Sequence, residues 1–532
     1  LGAGNNVLSV KDSLTVTNSF DVTTGEGDDS LTFDASIQAG SLSIAMGDGA
    51  NTLGVTQDLT VDGLAEVTAG SGVDTVTFNG THQAGALSLA LGTGDNVLSV
   101  SDTLTVTNAF DVTTEEGDDS LIFDASIQAG SLSIAMGEGA NALGVTEDLT
   151  VTAAASVTAG SGVDSVTFNG THQAGSLSLA LGAGDNVLSV NNSLGVTDAF
   201  DVETMGGDDR ITFDASIQAG SLSIAMGEGA NTLDVTKDLT VTAAASVTAG
   251  SGVDTVTFNG THQAGSLSLS LGAGDNVLSV KDSLTVTNAF DVETTGGDDS
   301  LTFDASVQAG SLSLAMGEGA NTLDVTRDLT VDGLAEVTAG SGVDSVTFNG
   351  THQADSLSLA LGAGNNVLSV NNSLGVTNAF DVTTREGDDR ITFDASIQAG
   401  SLSIAMGDGA NTLDVTRDLT VTAAASVIAG SGVDSVTFNG THQAGSLSLS
   451  LGAGNNVLSV KDSLTVTNAF GVTTEEGDDR FTFDASIQAG SLSLAMGEGA
   501  NTLDVTQDLT VDGLASVTAG SGVDTVTFNG TH

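Results

Sequence analysis

Apolar and polar residues alternate along the whole chain in short stretches separated by Gly, Asn and Asp. The first apolar positions of this pattern are Leu8, Val10, Leu14, Val16, Phe20 and Val22. A period of two in segments rich in Val, Thr, Ile and Phe predicts short β-strands. No segment shows the 3.6-residue period of a helix, so we expect an all-β protein.

The pattern repeats at two levels. The chain divides into six sequence units, 1–90, 91–180, 181–270, 271–360, 361–450 and 451–532. Within the first unit, a motif of the form Gly-x-[Asp/Asn]-x-[Leu/Val]-x-[Val/Phe] recurs in "GAGNNVLSV", "GEGDDSLTF", "GDGANTLGV" and "GSGVDTVTF", which begin at Gly2, Gly25, Gly47 and Gly70. The structural repeat is therefore about 22.5 residues, with three short strands in each and roughly 24 copies in the chain.

A repeat of this length cannot bury its own apolar face and must stack on its neighbours. We predict a parallel β-solenoid (β-helix) of three-sided coils, four coils to each 90-residue unit, as one continuous array over 1–532. Each strand would then pair with its equivalent in the next coil, about 4.8 Å away. The alignment places Val10, Phe33, Val55 and Phe78 in one column, where large and small side chains alternate as a narrow core requires.

Charge limits the classes of partner. The 532 residues include 68 acidic and 10 basic side chains, for a net charge of −58, and no Cys, Pro, Trp or Tyr. Nucleic acids and anionic membranes need a basic surface, so neither is an expected partner, whereas cations are. No apolar run approaches the length of about 20 residues that a membrane-spanning helix needs, so we expect no membrane insertion.

The turn "GEGDDSLTF" resembles the hemolysin-type (RTX) calcium repeat, Gly-Gly-x-Gly-x-Asp-x-U-x, in which U is a large apolar residue. On this match Asp29 is the ligand position and Leu31 the core position, and Asp74 and Val76 match in the same way. The resemblance implies calcium between successive turns, held by the Asp carboxylate and by backbone carbonyls. The chain departs from the family in having one motif per 22 or 23 residues rather than one per nine, and in alternating Asp with Asn at the ligand position.

The candidate calcium ligands are the turn aspartates Asp29, Asp74, Asp119, Asp164, Asp209, Asp254, Asp299, Asp344, Asp389, Asp434, Asp479 and Asp524. Stacking would place Glu26, Asp28 and Asp48 on the same edge within about 20 Å. A divalent cation with oxygen ligands would relieve the repulsion between these carboxylates. The alternative is a metal-free turn, in which Gly supplies positive φ and Asp or Asn caps its own turn.

Other motifs have competing explanations. His82, His172, His262, His352, His442 and His532 align with inward positions, so we expect neutral core histidines rather than metal ligands. The "NGT" at Asn79 matches both a tight turn and an N-glycosylation site, and we favour the turn. The Thr-x-Thr pair at Thr15 is broken in alternate coils, which argues against ice binding. The units are nearly interchangeable and offer no unique catalytic site, so we expect no enzyme.

The outward strand positions of the first unit are mostly Ser, Thr and Ala, which suits packing of one solenoid against another. Neither end shows a capping unit, and exposed strand edges invite addition. We therefore expect a segment of a very long, extracellular or cell-surface structural protein that self-associates into filaments, as in repeat regions of giant bacterial surface proteins, with a cell surface or polysaccharide as a further partner. The alternative is a passive spacer in an adhesin whose binding domain lies elsewhere.

Overall fold

The structure is a computed structural model that describes residues 1–531. It confirms the predicted all-β parallel β-solenoid, with 69% of residues in strands, 0% in helices and about 24 turns of about 22 residues. Since no described residue is helical, this part of the chain contains no helix that could cross a membrane.

The described residues form 43 strands, numbered β1 to β43 in chain order. These are Val7–Val10, Leu14–Thr23, Ser30–Phe33, Ile37–Met46, Thr52–Val55, Leu59–Ala69, Thr75–Ala90, Val97–Thr113, Ser120–Met136, Ala142–Val145, Leu149–Ala159, Ser165–Phe168, Thr171–Ala183, Val187–Val190, Ser193–Gly206, Arg210–Phe213, Ser216–Glu228, Thr232–Val235, Leu239–Ala249, Thr255–Phe258, Thr261–Ser270, Val277–Val280, Ser283–Glu293, Ser300–Phe303, Ser306–Met316, Thr322–Val325, Leu329–Ala339, Ser345–Phe348, Thr351–Ala360, Val367–Val370, Ser373–Thr383, Arg390–Phe393, Ser396–Met406, Thr412–Val415, Leu419–Ala429, Ser435–Phe438, Thr441–Ser450, Val457–Thr473, Arg480–Met496, Thr502–Val505, Leu509–Val511, Ala515–Ala519 and Thr525–Phe528.

The chain divides into two compact units, Leu1–Gly265 and the residues from Ser266 onward. In the first unit, β1 pairs in parallel with β3, and β3 with β5, so that Leu8, Leu31 and Leu53 lie in one column. In the second unit, β22, β24 and β26 pair in the same way. Each strand thus pairs with its equivalent one coil later, as the sequence repeat predicts.

Most coils combine a four-residue strand with a longer strand that bends, and in β7, β8, β9, β38 and β39 the two are continuous. The predicted second and third strands of a coil are one element here, as in β2 and β4, because pairing continues through the bend with a shift of register after Val16. Wide bends, at residues 17–19, alternate with tight bends at Gly40 and Ser41, which explains the alternating 23- and 22-residue steps. A Cβ on Gly40 would lie 2.6 Å from the carbonyl oxygen of Thr17, so only glycine allows the tight bend to approach the wide one.

The core is a stack of columns of buried side chains. Phe33, Val55 and Phe78 are paired in register and each is at most 3% exposed. Phe20 and Phe33 contact edge to face, with ring centroids 5.9 Å apart. Burial of an aromatic or aliphatic side chain of this size stabilises the fold by about 1.5–3 kcal/mol. The alternation of large and small residues predicted for the column of Val10, Phe33, Val55 and Phe78 is confirmed.

Charge on the outer surface is not confined to the turns, because some outward strand positions also carry it. Asp21 and Glu66 lie on the third side of their coils, where each pairs with Ser43. In the first sequence unit this third side therefore carries a carboxylate in alternate coils, whereas Ser156, Ser246 and Ser426 replace Glu66 in later units. By contrast, the outward side chains of the four-residue strands in the first eight coils, here called the short-strand face, are all uncharged.

Candidate functional site

The turns that join the third side of one coil to the short strand of the next have a shared backbone shape. Gly72 has a φ of 131°, and a Cβ there would lie 2.4 Å from the carbonyl oxygen of Gly49 in the preceding turn. A side chain at this position would therefore be both strained and in collision with the neighbouring turn. The glycine of each motif allows the turns to stack directly above one another.

Stacking brings the alternating Asp and Asn residues into one buried hydrogen-bonded column. The backbone N–H of Asn51 donates to Oδ1 of Asp74 at 2.9 Å, and the N–H of Asp74 donates to Oδ1 of Asn96 at 3.0 Å. The N–H of Asn96 continues the column by donating to Oδ1 of Asp119 at 2.8 Å. One side-chain oxygen of every residue in this column therefore accepts a hydrogen bond from the preceding coil.

The asparagines and aspartates of this column differ in their second polar side-chain atom, which is Nδ2 in asparagine and Oδ2 in aspartate. Nδ2 of Asn51 donates to the carbonyl oxygens of Gly47 and Gly49 at 2.9 and 3.0 Å, within its own turn. Asn141 makes the same two bonds, at 3.1 Å each, to Gly137 and Gly139. Each asparagine thus closes its turn from inside as both a donor and an acceptor.

An aspartate in the same position has no proton with which to make these bonds when it is ionised. Among the described residues, Oδ2 is buried and without a hydrogen-bond partner at Asp29, Asp74, Asp119, Asp164, Asp209, Asp299, Asp344, Asp389, Asp434 and Asp479. Asp254 is equally buried, and Asp524 is half-buried. By equivalence with Asn51, Oδ2 of Asp74 faces the turn carbonyls of Gly70 and Gly72. An acceptor that faces acceptors requires a proton or a cation between them.

Burial raises the pKa of these carboxyl groups. At Asp74, desolvation is the largest cause and the nearby charge of Asp48 adds to it, whereas the bonds from Asn51 lower the pKa in part. The same direction holds for Asp119, Asp164, Asp209, Asp254, Asp299, Asp344, Asp389, Asp434 and Asp479. The anionic form is therefore disfavoured at these positions unless a cation compensates for it.

Asp29 differs in the direction of its shift. Burial acts to raise its pKa, but the Thr24 hydroxyl, bonds from Asn6 and the N-terminal ammonium together lower it. The Thr24 hydroxyl is close to the Asp29 carboxylate without meeting hydrogen-bond geometry. The residue five positions before Asp74 is Ala69, which has no hydroxyl. The turn aspartates therefore form two classes, one with a neighbouring threonine and one without.

Exposed acidic residues border the buried column. Asp48 Oδ1 accepts from the backbone N–H and the hydroxyl of Ser71 at 2.9 and 3.0 Å, and these bonds lower the pKa of Asp48. Asp28 Oδ1 accepts from the N–H of Ala50 at 3.0 Å. Each of these carboxylates keeps a second oxygen for solvent or an ion.

The fit of a cation to this edge depends on backbone oxygens as much as on carboxylates. No three or more His, Cys, Asp or Glu side chains among residues 1–531 converge as a metal-binding group. At Asp74 the oxygens that could ligate a metal are its Oδ2 and the turn carbonyls, and Asp48 supplies a further carboxylate nearby. Such an all-oxygen set suits calcium rather than a transition metal. The buried, unpartnered Oδ2 fits a cation, and it also fits a proton.

The histidines lie inside the coils, away from the turn edge. His82 is 2% exposed and pairs with Leu59 and Leu104 in a column of aliphatic residues, and its ring meets that of Phe78 edge to face at 5.5 Å. Neither ring nitrogen has a hydrogen-bond partner in His82, His172, His352 and His442 within the described chain. Burial lowers the pKa of His172 and His352 to about 4. The expected core position is thus observed at these residues, and His532 lies outside the described residues.

The Asn-Gly dipeptides lie at the corner between the short and long strands. Asn169 and Gly170 separate β12 from β13, and Gly80 has a φ of 115°. Each corner is closed by an acidic side chain, as where Asp148 accepts from the N–H of Thr171 at 2.9 Å. At Asn79 and Gly80, where the sequence predicts a tight turn, the corner lies within the continuous strand β7, so the chain bends there without leaving the sheet.

Comparison of the chain with protein-family models, with curated proteins and with solved structures found no match. The β-solenoid fold therefore rests on the structure itself, and calcium binding by these turns is a proposal.

Proposed function

We propose that this chain is a structural segment of an extracellular or cell-surface filament, in which copies associate side by side and calcium occupies the aspartate turns. The observation that carries the proposal is the short-strand face, which is uncharged over the first eight coils of a chain with a net charge of −58. In later coils the equivalent outward positions include Arg210 and Asp234, which pair with each other at 3.0 Å, so the proposed contact is confined to the first eight coils. Two such chains repel each other over most of their surface. Contact through an uncharged face brings the fewest like charges together.

The short-strand face is regular as well as neutral. One of its columns runs through Ser9, Thr32, Gly54, Thr77 and Ser99, which are paired in register by β1, β3, β5, β7 and β8. Small hydroxyl-bearing residues at a constant spacing allow two faces to approach closely and to exchange hydrogen bonds. Ile122, which is 38% exposed on the same face, adds apolar area. These features favour lateral packing.

Cations would support the same assembly. Each aspartate turn places one buried carboxylate near an exposed one, as with Asp74 and Asp48. Calcium bound at this edge would satisfy the buried Oδ2 and reduce the net negative charge of each chain. The charge reduction lowers repulsion between neighbouring chains.

Analytical ultracentrifugation and electron microscopy of the chain in calcium test this proposal. We expect assemblies that grow with protein concentration and show lateral order. Thr77→Glu and Thr167→Glu place charges on the short-strand face and should reduce assembly at least tenfold. The matched control, Gln83→Glu, makes the same change of charge on the second side, between Thr60 and Thr105, and should leave assembly unchanged. A monomer at all concentrations in calcium would instead support the passive spacer of an adhesin.

A further inference from the structure

The outward residues of the long strands form a column in which Thr and Gln alternate from coil to coil. In the first compact unit, Thr150 pairs with Gln173, and Gln218 pairs with Thr240. Between the two glutamines the column contains Gly195. In the second compact unit, Gly375 stands between two glutamines in the same way. The other four sequence units have threonine at this position, namely Thr15, Thr105, Thr285 and Thr465.

Folding does not require glycine at either place. Gly195 lies inside β15 without a left-handed φ, and a Cβ there would meet no atom within 4 Å. Gly375 has the same open surroundings. Glycine inside a strand costs about 0.5–1 kcal/mol relative to alanine, and threonine favours strands further. The missing side chain therefore does not serve stability, and its structural effect is to open space.

A recess surrounds each of these glycines. The recess at Gly195 has a volume of about 690 Å³ and lies between Gln173 and Gln218, with Thr152 and Thr242 on the wall across the bend. The recess at Gly375 has a volume of about 460 Å³ and lies between Gln353 and Gln398, with Asp332 and Asp355 at the positions of Thr152 and Gly175. Both volumes are in the range of small-molecule binding sites.

The chemistry of the walls selects the class of ligand. All residues that line the Gly195 recess are uncharged, so it holds no cation for a phosphate and no carboxylate for an amine. Within the described residues the carboxamides of Gln173 and Gln218 make no hydrogen bond, and each offers two donors and an acceptor. The Thr152 hydroxyl donates to the carbonyl oxygen of Gly130 at 3.2 Å, so it presents its lone pairs to the recess. Hydroxyl groups, which both donate and accept, complement these walls.

The spacing of the glutamines sets the minimum size of the ligand. Gln173 and Gln218 are two coils apart, about 9.6 Å at the spacing of paired strands. One hexose ring with a hydrogen bond of about 2.8 Å at each end can span this distance, so a single sugar unit is the minimum ligand. The volume of about 690 Å³ leaves room for further sugar units beside the first.

We propose that the recesses at Gly195 and Gly375 each bind a neutral oligosaccharide through hydroxyl contacts to the paired glutamines. The proposal is independent of filament formation, because the recesses are on the second side of the coil rather than on the short-strand face. The Gly375 recess also has Asp332 and Asp355 in its walls, so it should bind anionic sugars even less well.

Isothermal titration with cellohexaose, maltohexaose and laminarihexaose, in EGTA, tests the proposal. At least one of these probes should bind with a stoichiometry of two per chain, and oligogalacturonate should bind at least tenfold more weakly. The absence of binding by all three neutral probes at millimolar concentration would overturn the proposal. Equal or tighter binding of oligogalacturonate would overturn the assignment of a neutral ligand.

Substitutions at the glycines separate binding from folding. Gly195→Thr and Gly375→Thr should each remove one site, and the double variant should lose both, while the melting temperature stays the same or rises. Thr105→Gly, between Gln83 and Gln128, should open a third site and raise the stoichiometry to three. A double glycine variant that still binds with a stoichiometry of two would overturn the proposal.

Discussion

Asn51 and Asp74 occupy equivalent places in successive turns but satisfy their surroundings differently. The N–H of Asn51 donates to Oδ1 of Asp74 at 2.9 Å, and Nδ2 of Asn51 donates to two carbonyl oxygens of its own turn. Asp74 also accepts through Oδ1, but its Oδ2 is buried without a partner. The asparagine turns thus satisfy their polar side-chain atoms with hydrogen bonds, whereas the aspartate turns between them need a cation or a proton.

Replacement of turn aspartates by asparagine should have opposite effects with and without calcium. In EGTA at pH 7.5, Asp74→Asn together with Asp164→Asn, Asp344→Asn and Asp434→Asn should stabilise the chain, since each removes an unpaired buried oxygen that costs about 1–3 kcal/mol. In calcium the gain should disappear, because a bound ion contributes about 2.7 kcal/mol per site at a concentration one hundred times its Kd. Thermal melting in both buffers measures the difference.

The pH dependence of the same turns distinguishes cations from protons. The pKa of Asp74 is raised above its ordinary value of 3.8, so the folded chain keeps a proton there that the unfolded chain loses. The resulting destabilisation is absent below pH 3.8 and develops as the pH rises through the raised pKa. If melting in EGTA and in calcium gave the same midpoint at pH 7.5, and the difference in midpoint between the wild type and Asp74→Asn shrank as the pH was lowered towards 3.8, protons would be the natural occupants.

Removal of an asparagine from the column should reduce stability without changing the response to calcium. Asn411→Ala deletes two bonds to the carbonyls of Gly407 and Gly409 and the acceptor for the N–H of Asp389. We expect a loss of about 2 kcal/mol or more, since buried backbone groups are left unpaired. Asn365→Ala is the control, because Asn365 is exposed and water can replace its single bond from Asp388. Equal losses in urea denaturation would contradict the closing role of the buried asparagines.

Acid should destabilise the solenoid through its core histidines. The pKa of His172 falls to about 4 in the folded chain because of burial, against an ordinary 6.5, while Asp148 partly opposes the shift. The unfolded chain therefore takes up the proton first, and stability is lost as the pH falls from 6.5 towards 4. At pH 5 the loss is about 2 kcal/mol for His172, and the same holds for His352.

Leucine should remove this sensitivity. His172→Leu continues the aliphatic column of Leu149 and Leu194, so the difference in unfolding free energy between pH 7 and pH 5 should shrink by about 2 kcal/mol. Gln128→His is the matched control, because it places a histidine at an exposed outward position and should leave the difference unchanged. An unaltered acid response of His172→Leu would show that other groups control it.

Gly72 and Gly54 allow a test of whether glycine is required by steric contact at its position in the fold. Gly72→Ala introduces a Cβ at a φ of 131° and 2.4 Å from the carbonyl oxygen of Gly49, so we expect a loss of about 2 kcal/mol or more. Gly54→Ala introduces a Cβ with no atom within 4 Å and should be neutral or stabilising by about 0.5–1 kcal/mol. Guanidinium denaturation of both variants measures the contrast, and a similar loss in the two would refute the stacking argument.

The features that depend on one coil and its periodicity could be predicted from the sequence. The alternation of apolar residues and the constant repeat are sufficient to place Phe33 beside Val10 and Val55, and the structure confirms this register. The inward position of His82 follows from the same alignment. These predictions succeed because a solenoid repeats one set of local contacts.

The features that depend on contacts between neighbouring coils could not be predicted. The tight bend at Gly40 is set by its close approach to the carbonyl of Thr17 in the preceding coil. The second and third sides of a coil therefore form one continuous strand, and neither sequence segment alone indicates this. The unpartnered Oδ2 of Asp74 is visible only beside the closed turn of Asn51. In the sequence, Gly195 is visible only as a glycine where four other units have threonine. The recess around it becomes apparent only from the open space in the structure.

The strict alternation of Asp and Asn also limits how a gene for such an array can grow or shrink. Deletion of a single coil, from Gly47 to Ala69, would remove Asn51 and place Asp29 directly against Asp74. Two buried carboxylates would then be adjacent at about 4.8 Å, where like charges repel strongly. Deletion or duplication of two coils, about 45 residues, preserves the alternation and the pairing of wide with tight bends. Unequal recombination should therefore be tolerated in steps of an even number of coils.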